Sequence, residues 1–327
     1  MKQPFRKKHG PLNLQVAGRY RILGLLLVLW LTGLALTASA WTAETDPERI
    51  TIIVSLKIKP YMDAVQGIRE QLVKRNDVAL NVMFMDAQND AGHDSLAKRM
   101  GASPPRLAVA IGPEAMEFLW TRFQSAAVKK MYAMVLDPER VVPGYARRCG
   151  IGLNIPAERQ IKEFKEKLPE LKRIGLIYHP GMNQGFALQA KTAASQNGIE
   201  LMLLAVDSLD EISVVLNNHW ATIGGLWMIP DRVVISESLI PYLIKSAMAN
   251  NVAVIGYNRY FIESGAACAL VRKYQTMGKQ AAEMALSMLY EDVCEPTIPA
   301  YEVLINPRVL ETIGLSYPAS QGPENQP

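Results

Sequence analysis

Ile50–Leu72 reads ITIIVSLKIKPYMDAVQGIREQL. Its opening, Ile50–Ser55, is a short run dominated by β-branched residues. Pro60 then opens a stretch in which Met62, Val65, Ile68 and Leu72 fall on one face at helical spacing. A strand apolar on both faces followed by an amphipathic helix is one βα unit of a buried parallel sheet.

The unit recurs along the chain. A first series of strands is predicted at Ile50–Ser55, Leu80–Met85, Leu107–Ile111 and Met131–Val135. A second is predicted at Ile174–Tyr178, Glu200–Ala205, Gly225–Met228, Val252–Ile255 and Ala267–Val271. Amphipathic stretches lie between them, including the stripe Ile161, Phe164 and Leu168. A later stripe of Met277, Ala281, Met284 and Met288 suits a helix packed on a core, because Met fills irregular gaps. The two series are separated by a polar stretch with Pro and Gly, Asp137–Asn154 (DPERVVPGYARRCGIGLN). Alternation of this kind predicts an α/β chain of two Rossmann-like lobes with parallel sheets, joined near Leu153–Ala157. Ligands of such sheets bind beyond the carboxyl ends of the strands, so two facing edges make a cleft.

The chain has 327 residues, 49% hydrophobic and 20% charged, which excludes a disordered polymer. Six of its 35 Lys and Arg lie in the first 40 residues, where no acid occurs. The remainder carries 29 basic against 31 acidic residues. The body therefore has no positive excess to follow a phosphate backbone, and nucleic acid is not an expected partner. The basic start, the apolar run Ile22–Leu36 and the Ala38-Ser39-Ala40 site read as a secretory signal over residues 1–40. The same span to Trp41 is long enough for an uncleaved inner-membrane anchor. Either way the body is expected in the periplasm or another extracytoplasmic space, touching the membrane only through this segment. The end, 316–327, is rich in Ser, Pro, Gly, Asn and Gln and reads as a disordered tail.

Catalytic signatures are missing. There is no phosphate-binding P-loop, dinucleotide fingerprint, nucleophile elbow or zinc-protease motif. His179 follows an apolar strand, but a lone His without a placed nucleophile or orienting acid is a weak base candidate. No enzyme activity, cofactor or metal is expected. Cys268 sits in an apolar run and reads as a small core residue. Cys149 and Cys294 are left free or paired; the sequence does not decide.

Several segments together carry a resemblance. They are Lys59–Leu72 (KPYMDAVQGIREQL), Ala110–Ala115 (AIGPEA), Val135–Pro138 (VLDP) and Leu168–Pro180 (LPELKRIGLIYHP). Ile229–Asp231 (IPD), Tyr274–Ala282 (YQTMGKQAA) and Ile305–Leu315 (INPRVLETIGL) complete the set. In this order and spacing the body resembles the substrate-binding proteins of ABC importers, in the group that includes binders of tryptophan and other aromatic amino acids. The resemblance implies the type I periplasmic-binding-protein fold with a multi-crossover hinge. The first lobe would hold 48–155 plus 274–298, because the long helix after the second sheet returns to the first. The second would hold 156–273 plus 299–315, with Ala267–Val271 as the last strand of its sheet.

The resemblance also implies a binding cleft. The turn Gly112-Pro113-Glu114 opens a helix whose free N–H groups suit a carboxylate. Asp137 and Asp231 end strands in opposite lobes and suit a ligand ammonium, although Asp137 before Pro138 also reads as a turn and Asp231 as a helix cap. Tyr61, Met62 and Tyr257 are expected as apolar walls, with Ser55, His179 and Asn183 at neighbouring strand ends. Departures from the family pattern matter. Pro113 stands where a Thr is usual, Gly181–Gln184 replace an acid and a Ser, Lys59 replaces a His, and Arg232 replaces a smaller polar residue. With Lys57, Lys59 and Arg232 close to one cleft, a small anion competes with an amino-acid-like ligand. The implied function is capture of a small molecule by a monomer that delivers it to an ABC permease. A subunit that reports ligand to a membrane sensor or kinase is the alternative.

Overall fold

The computed structural model describes residues 46–85, 90–144, 148–233 and 238–316. The leader expected over 1–40, and the tail beyond 316, lie outside the described residues. Glu48 onward forms one compact unit built on two sheets.

The first sheet contains β1 (Glu48–Val54), β2 (Val78–Phe84), β3 (Leu107–Ile111), β4 (Lys129–Val135) and β5 (Cys149–Gly152). Its order is β2-β1-β3-β4-β5, and every pairing is parallel. Period-two alternation divides its apolar residues between two helical layers. Ile50, Ile52 and Val54 pack with α1 (Lys59–Leu72) and with α10 (Tyr274–Tyr290). Ile53, Ala108 and Ala110 face the other way, towards α2 (Asp90–Ala102), α3 (Pro113–Glu117) and the π-turn Phe118–Arg122. α4 (Pro138–Val141) is a single turn after β4.

The second sheet contains β6 (Arg173–Tyr178), β7 (Glu200–Ala205), β8 (Gly225–Met228), β9 (Ala253–Gly256), β10 (Cys268–Arg272) and β11 (Tyr301–Ile305). Its order is β11-β10-β9-β8-β6-β7. Ile174, Leu176 and Trp227 pack against α5 (Ala157–Lys167) and α6 (Pro180–Gln196). Ile177, Leu226 and Met228 pack against α7 (Leu209–Asn217) and α8 (Leu239–Ala249). The short α9 (Arg259–Glu263) follows β9, and α11 (Pro307–Thr312) follows β11.

Two expectations need correction. β10 does not close the second sheet: β11 adds an antiparallel edge, with Cys268 opposite Ile305 and Arg272 opposite Tyr301. The first sheet also gains β5, which lay inside the stretch read as a linker.

The chain crosses between the sheets three times: after β5, after β10 and after α10. The last two crossings run side by side, Lys273 N–H donating to the Ala300 carbonyl at 2.9 Å. After the second crossing, α10 lies directly on α1. A Cβ on Gly278 would stand 2.1 Å from the Ala64 carbonyl oxygen, and one on Gly67 would stand 1.9 Å from that of Gln275. Only glycine permits two helix backbones so close. Beyond α10, a disulfide joins Cys294 to Cys149 at the start of β5, with Cα atoms 5.9 Å apart. Cys268 is free and buried.

Candidate functional site

The carboxyl ends of β3 and β4 in one sheet face those of β6 and β8 in the other across a cavity of about 550 Å³. Six of the expected residues line it: Pro113, Glu114, Asp137, Asn183, Asp231 and Arg232. A second cavity of about 520 Å³ continues from it under Asn154 and Phe186, sharing Asp137, Arg140, Met182 and Asn183. A third, of about 540 Å³, opens between the start of α1 and the loop after β9.

The Gly112 turn is built by close packing. Gly112 has φ +92°, and a Cβ there would stand 2.6 Å from Ser55 Oγ and 2.8 Å from the Tyr61 ring. Buried Ser55 accepts a hydrogen bond from Ala115 N–H at 2.9 Å, so this N–H of the turn is already used. What the turn offers the cavity is an acid: Glu114 Oε2 is buried and has no hydrogen-bond partner among the described residues. Burial, with Glu114 beside it, pushes Tyr61 up to about 12, so its hydroxyl stays protonated.

Asp231 is almost fully buried, and its carboxylate is held by the protein. Oδ2 accepts from His179 N–H at 2.8 Å and from Asn183 Nδ2 at 2.6 Å. Oδ1 accepts from Val233 N–H at 2.9 Å. It thereby fastens the loop after β8 to the start of α6 while contributing to the cavity wall. Asp137 immediately precedes α4 without a side-chain capping bond, and its Oδ1 accepts a 3.3 Å bond from Asn154 Nδ2.

The remaining expected residues lie elsewhere. Lys59 lines the third cavity, highly exposed and ion-paired with Asp63 at 3.0 Å. Lys57 stacks over Phe84, 4.6 Å from the ring centre. Tyr257 packs on Phe261, and burial pushes its hydroxyl up to about 12. The His179 ring is held near Gly181, where a Cβ would stand 2.8 Å from Cε1.

Two arginines carry more of the site than the sequence suggested. Arg140 reaches across the cleft, Nη2 donating to the Met182 carbonyl at 2.6 Å and Nη1 approaching Met182 Sδ at 3.0 Å. Arg272, at the end of β10, donates to the carbonyls of Leu153 (3.0 Å) and Tyr257 (2.6 Å). The available hint was position alone: both stand at or just after a strand's carboxyl end.

Two α/β lobes meeting over a charged cleft at their strand ends, and joined by three crossings, define a bilobal solute-binding protein of the type I periplasmic-binding fold. The chain belongs to the family of ABC transporter substrate binding proteins, whose profile matches residues 49–320. Over 250 residues it is 21% identical to a tyrosine-binding protein of Clostridioides difficile, covering 72% of this chain and 71% of that protein. Among solved structures it is similar to a ligand-free, open substrate-binding protein with adhesive properties from Clostridium difficile. That likeness has a TM-score of 0.70 at 20% identity, over 84% of this chain and 97% of the other. An ABC domain from Streptococcus pneumonia in complex with L-Trp aligns with a TM-score of 0.55 at 18% identity, over the same shares of the two chains.

Proposed function

We propose that the chain is an exported monomer that captures an amino-acid-like or small anionic solute in the interlobe cleft and hands it to an ABC permease. The lobes 48–155 plus 274–298 and 156–273 plus 299–315 close over the solute, and no bond in it is made or broken. The observation that carries this reading is the cavity itself. It is walled from both sheets, holds acids and arginines together, and is spanned by the Arg140–Met182 contact. Such a site gains its electrostatic strength on closure, when water leaves. The tyrosine-binding relative and the L-Trp complex support an amino acid as the solute. The Cys149–Cys294 disulfide suits an oxidising compartment and so supports export. The leader is read as a signal peptide or an anchor.

Thermal-shift and calorimetric titration with the proteinogenic amino acids, including L-tyrosine and L-tryptophan, and with small mono- and dicarboxylates tests capture. A true solute at ~100 times its Kd is expected to stabilise the fold by roughly 2.7 kcal/mol. No shift across the whole panel, or chemical conversion of the bound molecule, overturns the reading. Fusion of the leader to a reporter active only outside the cytoplasm is expected to give activity.

A further inference from the structure

Arg272 differs from the arginines that make ion pairs. Arg75, Arg159 and Arg259 lie at the surface, each beside a carboxylate: Asp77, Glu163 and Glu302 respectively. Arg272 is partly buried at the hinge and makes no ion pair among the described residues. A guanidinium has five N–H donors. Two are used, both on neutral backbone carbonyls, those of Leu153 and Tyr257. The other three have no hydrogen-bond partner among the described residues. Burial pulls this guanidinium below the ordinary arginine range. Because arginine does not readily give up its proton, the desolvation penalty falls on a retained charge.

Its position supplies the second observation. Among the described residues Arg272 alone lines both the cavity under Asn154 and the cavity beside Lys59. Lys273 follows it in the same wall, whereas Lys59 and Arg259 are already neutralised by Asp63 and Glu302. The unpartnered oxygen of Glu114 lies in the neighbouring cavity, and Asp137 lines both that cavity and the one under Asn154. The cleft therefore holds a cation without an ion pair at the hinge and acids near the ends of β3 and β4, where Arg140 and Arg232 also stand.

We propose that Arg272 is the anion anchor of the cleft, its free guanidinium edge taking the carboxylate of the captured solute. The inference rests on the capture reading and narrows it: the solute is a carboxylic acid. An amine on the same molecule is directed to the Glu114 and Asp137 side. The planar fork suits a carboxylate because it can donate two parallel hydrogen bonds. Its bonds to Leu153 and Tyr257 tie the anchor to the first crossing and to the end of β9, so occupation is felt at the hinge.

The test compares L-tyrosine, L-tyrosinamide, tyramine and 3-(4-hydroxyphenyl)propanoate, alongside the amino acids and carboxylates of the wider panel. Each is titrated by calorimetry into wild type, Arg272→Gln and Arg272→Lys, made from the full chain. Circular dichroism and the melting temperature establish that each variant is folded. The acids are expected to bind wild type at least tenfold more tightly than their amide or amine counterparts. Arg272→Gln is expected to weaken the acids by about 10- to 150-fold while changing the amides by less than about threefold. Arg272→Lys, which keeps the charge and loses the fork, is expected to fall between. A purely structural role would weaken acid and amide alike, and that result overturns the anchor. Binding confined to neutral or cationic compounds also overturns it and leaves capture standing. No binding by any compound overturns both.

Discussion

The two lobes share a plan and are fastened differently. The second sheet draws most of its core from one continuous stretch, with Phe164 and Phe186 packed edge-on against Trp227 at ring distances of 4.9 and 5.5 Å. The first depends on a helix from the far side of the hinge, seated by the glycine contacts at Gly67 and Gly278, and on the Cys149–Cys294 disulfide. Its stability is thus decided by residues near the end of the chain, whereas the second lobe's is decided mainly by side-chain packing within it.

Backbone contact tolerates no added volume, so the largest effect is expected from Gly278→Leu. Its side chain meets the Ala64 backbone, and a loss above about 4 kcal/mol is expected in urea unfolding, concentrated in the first lobe. Hydrogen exchange that instead slows or stays unchanged in β1 and β3 would break the comparison. Trp227→Ala removes the centre of the second core and is expected to cost about 3–5 kcal/mol. Exchange in β6 and β8 should respond before that in β1. Replacing Cys149 and Cys294 together by Ala releases a link spanning 145 residues and is expected to cost about 2–5 kcal/mol. The same loss is expected when wild type is unfolded under a reducing agent.

The smallest effect is alkaline. Burial pushes Cys268 up to about 12 from its ordinary 9.0, so the unfolded chain releases this proton first. Its contribution is fully present below pH 9 and is lost as pH rises towards 12. Tyr257 and Tyr301 in the second lobe and Tyr61 in the first, also raised to about 12, act in the same direction, as do Tyr132 and Tyr290 in the first. Stability measured between pH 8 and 11 should therefore decline, and Cys268→Ala should flatten the decline in the second lobe. A thiol reagent that labels Cys268 rapidly in the folded protein at pH 8 would contradict this.

Most of the fold was legible because buried parallel strands and amphipathic helices leave strong local periods, as in Ile50–Leu72. β5 was missed because CGIG offers four residues, two of them glycine. β11 was missed because YEVLI is partly buried throughout and follows a Pro-containing segment, so it reads neither as core nor as a clean alternation. The site was legible as a set of strand ends, and Gly112 as a turn. Which of those ends share a cavity depends on how the sheets face each other, and this sends Lys59 to a different cavity from Glu114. Arg140 and Arg272 draw their importance from partners 42 and 119 residues away, Met182 and Leu153, a separation that no local pattern carries.

The three crossings constrain motion as well as topology. A single strand of chain between two bodies would leave twist, swing and translation open. Strands held side by side by the Lys273–Ala300 hydrogen bond resist twist and shear and leave bending as the soft coordinate. The closure proposed above then reduces to displacement along one line, which leaves less orientational disorder for a binding event to remove.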